Sequence, residues 1–220
     1  HLLCRYARQN VKVCLSGDGS DELFAGYPTY QAHKVAQWIP RPFGVPAYWL
    51  ADHLPASDEN ISFDFKVRRF TAGLSFPLIE RNQIWLGSFE PRRKKSLFSP
   101  EALACLGDHD ALRLAREYDQ RCDSRHYLDR VCHADLQFYL QGDQLFRVDR
   151  ASMAHSLEVR APFLDHQLVE YLCSLKPDFK LRGMVTKYIL KEAAQGLLPA
   201  KIIHRRKKGF GVPIAKWIKT

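Results

Sequence analysis

The segment that most constrains this 220-residue chain runs from Leu15 to Phe24, LSGDGSDELF. Ahead of it, in Val11-Lys12-Val13-Cys14-Leu15, β-branched and aliphatic residues alternate with others, and Ser16-Gly17 ends the run, so a strand is expected over 11–15. Asp21 to Phe24 opens a short helix that Gly26 and Pro28 soon disturb. A strand that passes through a glycine-bearing loop into a helix is an α/β unit, and ligands of open α/β sheets bind at the carboxyl ends of the strands. One strand cannot bury itself. Few other stretches read as strands, so the expected fold is α/β, mostly helical, with the first strands of the sheet missing upstream.

The loop itself carries chemistry. Gly17 and Gly19 let the backbone approach a ligand closely. Backbone N–H groups there, with the helix N-terminus, suit a phosphate. Asp18, Asp21 and Glu22 place three carboxylates within five residues. Carboxylates repel phosphates, so a cation is expected between them, and Mg2+ takes one or two carboxylates together with phosphate oxygens. A carboxylate not used by the metal suits a general base. A plain polar turn, with Ser20 or Asp21 capping the helix, accounts for the same residues. The loop is not a Walker A sequence, because it lacks the Gly-Lys-Ser/Thr ending.

Beyond this loop the chain reads as irregular over 40–62, with short helical pieces, and as a helix over 63–80 interrupted by Pro77. Leu128, Val131, Cys132, Leu136, Tyr139 and Leu140 follow the helical period. Further helices are expected over 144–154, after Pro162 with Asp165 as N-cap, and over 186–195, stopped by Gly196 and Pro199. The residues Arg147, Asp149, Arg150, Glu158, Arg160 and Asp165 suggest a buried ion-pair network beside a pocket, or direct contacts to substrate or metal. No apolar run approaches the length of a membrane span, and no charged-then-apolar leader opens the sequence. Six cysteines without a CxxC pair predict buried free thiols in a reducing compartment, and hence a cytoplasmic protein. The net charge of +9 favours anionic partners, with basic runs at 92–95 and 205–208, but no nucleic-acid-binding signature accompanies it.

Three blocks together resemble the asparagine synthetases. They are LSGDGSDELFAGY at 15–27, DQLFRVDRASMAHSLEVRAPFLD at 143–165, and 183–193 with the core TKYILKEA, followed by Leu198-Pro199 and RKKGFGVP at 206–213. The weaker segment WLGSF at 85–89 also fits. The resemblance implies the C-terminal part of a parallel-sheet, adenine-nucleotide alpha-hydrolase-like (PP-loop ATP pyrophosphatase) synthetase domain, with residues 1–220 forming a single partial domain. It implies ATP and Mg2+ as cofactors, aspartate as substrate, adenylation of its side chain, and displacement of AMP by ammonia drawn from glutamine in an N-terminal domain. By match to the motif, Ser16 and Gly17 contact the nucleotide and Asp21 binds Mg2+. Asp18 stands where the best-studied members carry a glutamate acting as base on the incoming nitrogen, one methylene longer than aspartate. Lys187 matches the lysine near the reacting phosphate, where a preorganised ammonium offsets developing charge.

The family's pyrophosphate-binding loop, Ser-Gly-Gly-x-Asp-Ser, does not occur in the chain, and the N-terminal catalytic cysteine of its glutamine-hydrolysing domain has no counterpart here. The expectation is therefore a fragment with little activity alone, whose full-length form is a candidate homodimer. Two rival readings remain at this level. One is a related amide ligase acting on another carboxylate. The other is a nonenzymatic basic module that binds nucleic acid, supported by net charge alone.

Overall fold

The computed structural model describes residues 1–55, 57, 62–87, 95–107, 109–205 and 217–218. Most of the basic runs 92–95 and 205–208, Ser88-Phe89 and the block 206–213 lie outside the described residues. The chain divides into two compact units, one of residues 1–31 and 117–195, the other of 32–116 and 196–220. Both are dominated by helices. Among the described residues no helix is long and apolar enough to cross a membrane.

In the first unit, the strand β1 (Val13–Leu15) pairs in parallel with β2 (Glu158–Arg160), in the register Val13↔Glu158, Cys14↔Val159 and Leu15↔Arg160. The expected strand over 11–15 is thus shorter, and it finds one neighbour downstream in the same chain. Glu-Val-Arg offers no apolar run that marks it as a strand, and only pairing with β1 makes it one. Glu158 N–H donates to the Lys12 carbonyl at 2.9 Å and Ser16 N–H to the Arg160 carbonyl at 2.8 Å, which extends the ladder at both ends.

Because side chains alternate along a strand, Glu158 and Arg160 share one face. They pair at 2.7 Å in an exposed position. Arg147 likewise pairs with Asp143 one helical turn away, exposed to solvent, and Arg150 lies over the exposed Phe146 ring. The buried ion-pair network expected for this block is therefore not found: these charges pair locally on the surface. Asp165 is the N-cap as expected, its Oδ1 accepting from the N–H groups of Gln167 and Leu168 at the start of the helix His166–Ser174.

The helix Tyr127–Ala134 runs directly into a π-helical stretch, Asp135–Leu145, and then into the helix Phe146–Met153. The sequence pattern suggests two ordinary helices here, and the i→i+5 winding between them is not visible in it. Its first residue, Asp135, is fully buried and accepts a hydrogen bond from Tyr30 Oη at 2.8 Å. Leu23, Phe24 and Leu172 form the buried centre of an apolar cluster with Phe163, Leu164 and Ile189 around it. That cluster lies beneath the loop that follows β1. Phe24 and Phe163 meet edge to face, with ring centroids 5.7 Å apart.

The last expected helix starts later than the sequence suggests. Leu181–Arg182 and Val185–Thr186 form a small antiparallel pair, β3 and β4, turned by Gly183 at φ +60°, and the helix begins at Tyr188.

The second unit contains helices Gly44–Asp52, Phe63–Leu74 and Leu78–Leu86. The break at Pro77 is as expected, since proline removes an N–H and clashes with the preceding turn. The nine-residue helix Gly44–Asp52 is more regular than the sequence pattern of 40–62 indicates. Ala36, Ala72, Leu74, Ile84 and Trp85 form this unit's core. His33 is buried there, between Trp85 and Asn82, its Nε2 3.1 Å from Asn82 Oδ1.

All six cysteines are free, as expected, but only Cys132 is buried; Cys105 and Cys173 are exposed.

Candidate functional site

The loop after β1 is shaped by two glycines with different duties. Gly19 adopts φ +85° as the N-cap of the short helix Ser20–Leu23, and a Cβ there would overlap Leu164 Cδ2 and stand 2.9 Å from its Cγ. Both the left-handed backbone and the close approach of Leu164 require glycine. Gly17 has nothing within 4 Å of where a Cβ would sit, so the surface beside it is open. Gly17 thus leaves open the space that the close approach expected of both glycines needs, while Gly19 is packed against Leu164. The helix is a single turn, so its dipole adds little.

Ser16 Oγ donates to Asp18 Oδ2 at 2.8 Å, which joins two of the expected site residues at the mouth of the loop. Glu22, the third carboxylate of the motif, turns inward. It is 1% exposed and accepts a hydrogen bond from Tyr27 Oη at 2.6 Å. Burial and then the bond to Glu22 push the Tyr27 phenol far above its ordinary pKa, so Tyr27 is a fixed donor throughout the neutral range. Glu22 is therefore a brace for the loop and is not presented to a metal.

Asp21 and Lys187 come together although 166 positions separate them. Lys187 Nζ lies 3.0 Å from Asp21 Oδ1 and donates to Ser20 Oγ at 2.9 Å. Both side chains of the ion pair are about three-quarters buried, at 24% and 23% exposure. Lys187 sits in the left-handed region, φ +52°, between β4 and the helix Tyr188–Ala193, and its N–H donates to the Phe24 carbonyl at 3.0 Å. A non-glycine residue held at positive φ stores strain that its surroundings must over-determine, a feature that clusters at functional sites. The backbone bond to Phe24 and the two head-group contacts supply that determination.

The sequence pointed to Ser16, Gly17, Asp18, Asp21 and Lys187. The structure brings Ser16 to Asp18 and Asp21 to Lys187, and leaves the space beside Gly17 open. Sequence reasoning gave Ser20 only a capping role and did not single out Gly26, where a Cβ would overlap both Asp21 Oδ1 and Lys187 Cε. The one available signal was glycine next to a tyrosine in LFAGY.

Among the described residues no group of three or more His, Cys, Asp or Glu forms a metal cage. A single partly buried aspartate already facing an ammonium does fit Mg2+ that arrives with a nucleotide, because phosphate oxygens and water then supply most of its six ligands.

The profile of the Asparagine synthase family matches residues 1–220. The chain is 30% identical over 226 residues to asparagine synthetase [glutamine-hydrolyzing] 1 of Bacillus subtilis, covering 100% of this chain and 34% of that protein. It is 26% identical over 231 residues to amidase chyE of Penicillium rubens, covering 95% of this chain and 33% of that one. A shorter match, 41% identical over 69 residues, joins 30% of the chain to 12% of the mouse asparagine synthetase [glutamine-hydrolyzing]. The chain thus spans about a third of the length of the curated relatives that it matches along its whole length. No solved structure gives a significant match. With a family match along its full length, and with the motif residues of the first and third blocks meeting at one loop, this chain belongs to the asparagine synthase family.

Proposed function

We propose that residues 1–220 form part of a PP-loop-type synthetase domain. In the full-length protein it uses ATP to convert the side chain of aspartate to asparagine through a β-aspartyl-AMP intermediate. The observation that carries this reading is the convergence of Asp21, Ser20 and Lys187 at the carboxyl end of β1, where open α/β sheets bind their ligands.

In the first step a carboxylate oxygen of aspartate attacks the α-phosphorus of ATP and pyrophosphate leaves. Lys187 offsets the charge that grows on the phosphate oxygens. Ser16 and the open backbone at Gly17 bind the nucleotide. Asp21 would hold Mg2+, which neutralises phosphate charge when bound. In the second step ammonia, supplied from glutamine by another part of the protein, attacks the activated carbonyl carbon and AMP departs. Asp18, oriented by Ser16, takes the proton that the nitrogen loses. The free cysteines and the family's biosynthetic names support a cytoplasmic setting.

A second reading, amide chemistry on a different carboxylate, gains support from a relative over nearly the whole chain that is named an amidase. Offering aspartate and other carboxylic acids side by side in an ATP–pyrophosphate exchange assay separates the two. Replacing Asp21 by Asn in the full-length protein is expected to abolish aspartate-dependent pyrophosphate release. Near-normal release at ordinary Mg2+ would overturn the proposed metal role.

A further inference from the structure

The helix Ser20–Leu23 ends in a tight reversal. Ala25 adopts φ +53°, and Gly26 N–H reaches back to the Asp21 carbonyl at 2.7 Å. This is the Schellman pattern, in which the left-handed residue is ordinarily the glycine and the residue after it is unrestricted. Here alanine takes the left-handed position, and glycine occupies the next one, where no left-handed φ calls for it. Another reason must place glycine at 26. A Cβ there would overlap Asp21 Oδ1 and Lys187 Cε and lie 2.9 Å from Asp21 Cγ. No backbone atom is among these neighbours. The missing methyl is the space through which the aspartate and the lysine meet.

We propose that Gly26 is a positioning residue: its lack of a side chain sets the separation of Asp21 and Lys187, and with it the place of the ammonium against the reacting phosphate. The proposal rests on the function argued above. The two groups displaced by a methyl at 26 are ends of flexible side chains, so the fold tolerates the change while the pair does not. Lys187 cannot swing aside without leaving Ser20 Oγ, because its backbone is held by Phe24.

The test is Gly26→Ala in the full-length protein, read in two ways. Amine acetylation followed by mass spectrometry reports the freedom of each lysine. Lys187 is expected to be labelled several-fold faster in the variant than in the wild type. Lys180, which is 3% exposed and lies 3.5 Å from Asp129, is expected to stay protected. In single-turnover trapping, formation of the acyl-adenylate is expected to fall by about a hundredfold, the scale of a displacement of about 1 Å in a reacting constellation.

Unchanged labelling of Lys187 overturns the proposal. So does a parallel rise at Lys180 or loss of the folded protein, because Gly26 would then serve the fold at large. Faster labelling of Lys187 with adenylate formation at the wild-type rate overturns the positioning role alone and leaves the functional reading intact. If the wild type forms no adenylate from aspartate and ATP, the functional reading falls, while labelling still decides whether Gly26 sets the contact.

Discussion

In the proposed mechanism Lys187 serves the first chemical step and Asp18 the second, and substitution separates them. On that mechanism Lys187→Ala removes the charge that offsets developing phosphate charge, and is expected to suppress the adenylate itself, by about 3 kcal/mol in the barrier. Asp18→Asn is expected to leave some adenylate forming but to slow its transfer to ammonia by about a hundredfold or more. Single-turnover trapping in the full-length protein, with and without ammonia, distinguishes them; normal accumulation in Lys187→Ala, or wild-type conversion in Asp18→Asn, refutes the assignment. A different residue-scale effect belongs to His33. Burial first, and then Arg81 nearby, lower its pKa to about 3, against an opposing contribution from the Asn82 hydrogen bond. The unfolded chain binds this proton near pH 6.5 and the folded chain does not, so stability is full above that value and is lost as pH falls toward about 3. The loss from this residue approaches about 1.4 kcal/mol per pH unit. Urea midpoints between pH 7 and 4 are expected to fall less steeply in His33→Gln, which does not titrate.

At the scale of elements, the cap and the brace carry measurable weight. Asp165 accepts two backbone N–H groups at the start of His166–Ser174, the helix whose Leu172 packs under Leu23 and Phe24. Asp165→Ala is expected to destabilise the protein by about 1 kcal/mol, while Asp165→Asn largely preserves it; equal denaturant midpoints for wild type and Ala would refute the capping role. The π-helical stretch joins the loop segment through Tyr30 and Asp135, both fully buried. Tyr30→Phe deprives Asp135 of a donor and is expected to cost about 1–3 kcal/mol, read from chemical denaturation. The helix Asp21–Phe24 and the cap at Asp165 were legible because their signals are local: an acidic first turn, a proline, a side chain two or three residues from the N–H groups it accepts. The strand β2 was not legible, because it depends on a partner more than a hundred residues away, and the π winding leaves no mark in the helical periodicity.

At the scale of the whole molecule, apolar surface stays in contact with solvent along β1. Leu15 is 72% exposed and Val13 40%, and Leu2, Leu3 and Tyr6 of the helix Leu2–Arg8 are each more than two-thirds exposed. Large apolar side chains exposed in this way favour association with another apolar surface. The chain 1–220 expressed alone is therefore expected to associate, with light scattering that rises with concentration. A sharp, cooperative melt of a soluble monomer would count against this.

The sequence by itself determined the family and the strand–loop–helix around the acidic loop, because these are written in contiguous blocks with local geometric consequences. The tertiary structure alone decided that Glu22 turns inward to Tyr27 while Asp21 faces Lys187, that Glu158–Arg160 is a strand, and that Gly26 is a gap between two side chains. Each of these is a contact across a turn or across more than a hundred residues, and side-chain separation over such distances is set by packing, which no local pattern encodes.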